Sequence, residues 1–148
     1  MKVAVTLVRA SAMILVLALA AACGSDSPTG PKDVPGTYAL HTIDALALPF
    51  SVPNPREHTI VINTVSATLN ANGTYAVAGT GTQDGDASTV LTDAGTFTQS
   101  GATLHFTSSM FAAQYSATAK TDTIIVTLPG GFVDSDSDNF SLVFVKGS

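Results

Sequence analysis

From residue 36 onwards, apolar and polar residues alternate with a period of two. Val65, Ala67 and Leu69 share a face, with Ser66 and Thr68 opposite. Tyr75 and Val77 continue an apolar face opposite Thr74. Ala102, Leu104 and Phe106 oppose Thr103, His105 and Thr107, and Phe111, Ala113, Tyr115 and Ala117 oppose Gln114, Ser116 and Thr118. Ile124, Val126 and Leu128 oppose Thr123 and Thr127. Phe140, Leu142 and Phe144 oppose Asn139 and Ser141, although Val143 and Val145 make that last segment apolar on both faces. Alternation of this kind belongs to β-strands with one face buried.

Turn signals separate the segments. Asn72-Gly73, Asp84-Gly85, Ser100-Gly101 and Pro129-Gly130-Gly131 arrive at hairpin spacing. Strands are predicted near 36–43, 57–70, 73–82, 87–92, 94–99, 102–109, 112–119, 122–128 and 139–146, about eight once two neighbours merge. The phase breaks once: Ile60 and Ile62 are even-numbered, while Val65, Ala67 and Leu69 are odd. A one-residue slip reverses every side chain, so a bulge or break is expected near Asn63-Thr64. Short turns between successive strands favour an up-and-down meander, and closing it removes its exposed edges. The fold class is therefore all-β, a single antiparallel barrel, with a β-sandwich as the alternative.

Composition agrees. The chain has 148 residues, enough for one domain, and a monomer is expected. It has twenty Thr and a single Glu, so surface helix formers are scarce and β-branched residues dominate. One Cys excludes a disulfide framework, and a net charge of −5 is the wrong sign for nucleic acid.

The first residues follow another pattern. Residues 1–22 read MKVAVTLVRASAMILVLALAAA, with Lys2 and Arg9 as their only charges. A basic start followed by an apolar run too short to span a bilayer comfortably reads as a signal peptide. The run ends at Leu19-Ala20-Ala21-Ala22-Cys23. It resembles the signal of bacterial lipoproteins, with Ala20 where Leu is usual. The resemblance implies cleavage before Cys23, lipid on its sulfur and new amine, and attachment to a membrane. With Gly24 next, it implies the outer rather than the inner membrane of a two-membrane cell. More than one acyl chain anchors stably where one does not. Residues 23–35 then form a tether, since Pro, Gly and Ser cannot bury enough surface to order a chain. Removing 1–22 leaves four basic against eleven acidic residues, a balance of −7.

Residues 36–148 form the barrel domain. Gly36-Thr37-Tyr38-Ala39-Leu40, then Leu48-Pro49-Phe50, Leu69-Asn70-Ala71-Asn72-Gly73-Thr74-Tyr75 and Gly95-Thr96-Phe97 follow one another in a layout similar to small lipocalin-like bacterial lipoproteins. Lipocalins carry Gly-x-Trp in the first strand, where this chain has Gly36-Thr37-Tyr38. The resemblance implies a barrel and transfers no ligand.

Candidate chemistry is sparse. Asp134, Asp136 and Asp138 alternate as carboxylates that could meet Ca²⁺. An EF-hand loop needs Gly at its sixth place and Glu at its twelfth, where Asn139 and Val145 stand. The plainer expectation is a solvated loop and no metal. His41, His58 and His105 lie far apart, no nucleophile sits in a known motif, and Glu57 lacks a carboxylate partner. No cofactor and no enzymatic activity are expected, with a hydrolase or isomerase as the remote alternative. The connection 45–55 is apolar for a loop, and Pro49, Pro53 and Pro55 bar a regular central strand. It is expected to plug one barrel end. If it acts instead as a lid, Leu48 and Phe50 are the candidate ligand contacts. Two roles follow for the barrel: a structural or interaction module of the envelope, filled by its own side chains, or a binder of a small apolar ligand. An eight-stranded barrel is wide enough for either.

Overall fold

A computed structural model describes residues 33–147 apart from 54, 134, 137 and 138. Its strands are β1 (Gly36–Ile43), β2 (Leu46–Ala47), β3 (Phe50–Ser51), β4 (Ile60–Leu69), β5 (Thr74–Gln83), β6 (Asp86–Thr89), β7 (Asp93–Ser100), β8 (Thr103–Ser108), β9 (Gln114–Ala119), β10 (Thr123–Pro129) and β11 (Asn139–Lys146). A 3₁₀ turn spans Gly130–Val133.

Eight of these strands close on themselves. The ladder runs β4-β5-β7-β8-β9-β10-β11-β1, every pair antiparallel, and β1 returns to β4 through Gly36↔Leu69, Thr37↔Thr68, Tyr38↔Ala67 and Ala39↔Ser66. The protein is a closed antiparallel eight-stranded barrel, as the alternation predicts. The phase break is a bulge: β4 and β5 shift register between Ile62 and Thr64. Ile60 and Ile62 before it, and Val65, Ala67 and Leu69 after it, all point inward and are buried. A second shift, between Leu40 and Thr42 where β1 meets β11, keeps both Leu40 and Ile43 in the core.

One predicted strand is not a stave. The segment near 87–92 yields only β6, which folds back on β5 alone. Two backbone features cause this. Asp84 and Gly85 both have positive φ and make a tight hairpin turn, and Leu91 (φ 51°) bends the chain before β7. A Cβ on Gly79 would overlap the Val90 carbonyl, so only glycine lets residues 90 and 91 cross β5 this closely. Val90 and Leu91 are thereby buried at one end of the barrel.

The two ends differ. At one end the chain enters β1, β11 finishes, and three short turns join β4 to β5, β7 to β8 and β9 to β10. At the other end lie the four longer connections: 44–59, 84–92, 109–113 and 130–138. Inward positions are largely apolar, with Asp93 and Ser108 as buried polar exceptions, and outward positions are largely Thr and Ser, the reverse of a barrel whose wall faces lipid. No helix of the described residues is long and apolar enough to cross a membrane.

Phe106 lies in the core, its ring 4.9 Å from Tyr75 and 5.0 Å from Tyr115, whereas its neighbour His105 faces solvent. Phe106→Ala is expected to cost about 3–5 kcal/mol. His105→Ala is expected to stay within about 0.5 kcal/mol. Urea midpoints of the two variants test this, and equal losses would contradict the inward–outward assignment.

Candidate functional site

The barrel interior and the loop end above it hold the polar chemistry that the fold buries. Asp93 begins β7 on an inward position and is only 5% exposed. Its Oδ2 accepts hydrogen bonds from the hydroxyls of Tyr75 (2.6 Å) and Tyr115 (2.8 Å). Its Oδ1 accepts from Ser108 Oγ (2.5 Å) and from the Ala94 backbone N–H (2.8 Å). Ser108 Oγ in turn accepts from the backbone N–H groups of Met110 and Phe111 and so shapes the β8–β9 loop. The two phenol oxygens lie 3.1 Å apart. One carboxylate thus joins β5, β7, β8 and β9 beneath the loop end, with two donors on each oxygen.

Burial, followed by the hydrogen bond to Asp93, raises Tyr75 well above the ordinary phenol value. Burial, followed by the contact with Tyr75, raises Tyr115 further still. An anionic phenol here would be desolvated and would face a carboxylate. The arrangement stabilises the neutral phenols and ties strands together. It leaves no free carboxylate lone pair aimed at a substrate.

Beside this hub lies a small apolar cavity of about 40 Å³, bounded by Leu69, Val77, Leu91, Val126, Phe132 and Leu142 among others. About 10–15 Å³ of such space holds one water, so the cavity admits a few water-sized molecules. Pockets for drug-sized ligands run to about 300–1,000 Å³.

Three segments close the loop end. Phe50 is 6% exposed and meets Phe140 edge-on, with centroids 6.0 Å apart, while Leu48 is half-buried against the same core. Phe132 packs on Phe111 (4.4 Å) and Tyr115 (5.6 Å). The buried Ser135 donates to the Pro53 carbonyl at 2.6 Å, which pins connection 130–138 across connection 44–59. Phe50 and Leu48 therefore sit in the packing that caps the barrel.

The carboxylates expected to alternate along one loop are placed only in part. Asp136 is exposed and pairs with Arg56 at 2.9 Å; Asp134 and Asp138 lie outside the described residues. Among the described residues no group of three or more His, Cys, Asp or Glu could hold a metal. The three histidines stay apart. His41 is exposed, His105 meets Ser116 at 3.2 Å, and His58 meets Asp84 at 2.7 Å. The Thr59 backbone N–H, then His58, holds Asp84 below the usual carboxylate range. Cys23 also lies outside the described residues.

Charge is confined to the ends. Among the described residues the eight staves carry only two charged groups, the inward Asp93 and the terminal Lys146. Lys146 Nζ reaches Asp33 at the entry end, with 3.1 Å to its carboxylate. The outer wall between the ends is uncharged.

No protein-family model matches the chain, and neither the curated proteins nor the solved structures give a match.

Asp93→Ala removes the acceptor from three hydroxyls at once. At about 1–3 kcal/mol for each orphaned buried hydroxyl, the loss is expected to reach about 3 kcal/mol or more. Alkaline titration gives a second test. All three tyrosines of the chain are raised, Tyr38 chiefly by burial. A raised acid contributes stability that is present below its unfolded value, about 10 for Tyr, and lost as pH climbs through the folded value. Phenolate absorbance of Tyr75 and Tyr115 is therefore expected to rise only together with alkaline unfolding. A rise near pH 10 from Tyr75 or Tyr115 with the fold intact would contradict the hub.

Proposed function

We propose that the protein is a cell-envelope lipoprotein whose barrel is an interaction module, filled by its own side chains and met by its partner from outside. Residues 1–22 direct export, lipid on Cys23 anchors the chain to a membrane, and residues 23–35 form the tether. In a cell with two membranes, Gly24 after the Cys favours the outer one. Support for the anchor comes from Leu19-Ala20-Ala21-Ala22-Cys23 and from the Pro- and Gly-rich tether. Nothing in the wall's charge draws it to anionic lipid or nucleic acid, so the lipid does the anchoring.

The observation that carries the outward-facing role is the cavity of about 40 Å³, several times smaller than a ligand pocket. What the barrel recognises then has to meet its surface. The tether joins the barrel at the end where β1 begins, which leaves the loop end free to project from the membrane. There Met110 (58% exposed) and Phe111 (41%) stand beside the half-buried Phe132, an apolar cluster of the kind that marks contact surfaces. A second reading, a small apolar ligand inside the barrel, draws on the apolar lining of the same cavity.

Mass spectrometry of the cell-made protein is expected to find a chain that begins at Cys23 and carries acyl groups there. An unmodified thiol or a different N-terminus would overturn the anchor. Fatty-acid and retinoid-like fluorescent probes are expected to gain no emission with the mature chain. Saturable enhancement, abolished by filling the cavity with Val126→Phe, would favour the second reading instead.

A further inference from the structure

The outer wall of β7, β8 and β9 holds a groove of about 370 Å³, within the range of small-molecule sites. Its polar lining is arranged in two rungs. Thr96, Thr107 and Gln114 are register partners across the three strands, and Thr98, His105 and Ser116 form the next rung. Strands lie about 4.8 Å apart and alternate residues about 7 Å apart, so these six side chains cover roughly 10 by 7 Å. That footprint is on the scale of a disaccharide.

The hydrogen-bonding capacity of the grid is largely unused. Among the described residues the side chains of Thr96, Thr98, Thr107 and Gln114 have no hydrogen-bond partner within the protein. His105 Nδ1 is held by Ser116, which turns its other ring nitrogen away from that contact. The strand backbone at Phe97, Phe106 and Tyr115 floors the groove, while their rings turn inward to the core. No Asp, Glu, Lys or Arg lines the groove.

We propose that this groove binds an uncharged saccharide, an inference that rests on recognition from outside the barrel. Hydroxyl, amide and imidazole groups can each meet sugar hydroxyls, and none of them calls for a charge on the ligand. The alternatives fit less well. Anions would find no Lys or Arg and cations no carboxylate. An extended peptide could not add as a strand, because β7, β8 and β9 are each paired on both sides.

The test titrates the mature lipidated chain in detergent with neutral oligosaccharides of glucose, mannose and N-acetylglucosamine, followed by NMR. Saturable shifts are expected at His105, Gln114 and their rung partners. Gln114→Ala and Thr107→Ala are each expected to weaken binding by roughly two- to tenfold, the loss of one ordinary hydrogen bond. Thr37→Ala, on β1 across the barrel from β8, is expected to leave it unchanged. Absence of saturable shifts with every oligosaccharide overturns this inference alone and leaves the outward-facing module standing. Shifts centred on interior residues such as Leu104 and Val126 overturn both. Equal binding by the Gln114 and Thr107 variants, or tighter binding of an anionic saccharide or a peptide at the rungs, also overturns the assignment.

Discussion

The pairing of β1 with β4 is the contact on which the rest depends. Four residue pairs, Gly36↔Leu69 to Ala39↔Ser66, turn a meander with two raw edges into a closed wall. Once closed, every inward side chain has neighbours around the full circle. Tyr38 illustrates this: it is 1% exposed, and its hydroxyl donates to the Val34 carbonyl at 2.7 Å. The incoming chain is thus stitched under the first stave, and Lys146 at the end of the last stave bonds the backbone carbonyl of Asp33. Residues 33 and 34 and Lys146 are thus fastened together beside β1.

Closure also separates inside from outside in chemical terms. Inside, large residues such as Phe106, Phe140 and Phe144 interdigitate with Ala67, Ala117 and Ala119 until only a small cavity remains. Asp93, the one buried carboxylate among the described residues, is acceptable there because four donors surround it. Its partners sit on four strands, so it acts as a polar clasp below a loop end that Phe50, Leu91 and Phe132 cap with apolar bulk. Outside, an uncharged hydroxyl-rich wall is left, with charge only at its ends. Solvation of that wall relies on hydroxyl and amide groups. The same groups are available to a neutral ligand.

Much of this was legible from period-two alternation. The inward sets of β4, β5, β8, β10 and β11 follow directly from the sequence, and so does the bulge after Ile62. The strand expected near 87–92 forms only as β6, off the closed wall, and shows where alternation fails: what keeps it from the barrel is the positive φ at Leu91 and a close approach to Gly79, neither of which has a periodicity. Asp93 lies two residues before Gly95 and four before Phe97, so parity alone would have placed it inside. Its clasp stayed hidden because Tyr75 and Tyr115 are 18 and 22 residues away, and only closure brings them together. The groove was hidden for the same reason: Thr, His and Gln on outward positions read as ordinary solvated surface until three strands align them in rungs.

Amide hydrogen exchange tests the closure itself. If β1 seals the barrel, the amides of β1 and β4 that bond across the seam open only with global unfolding. Their opening free energies then match those of Leu104 in β8 and Val126 in β10. Exchange of the seam amides through a distinctly cheaper opening, while β8 and β10 stay protected, would contradict a closed barrel and restore an open sheet with two edges.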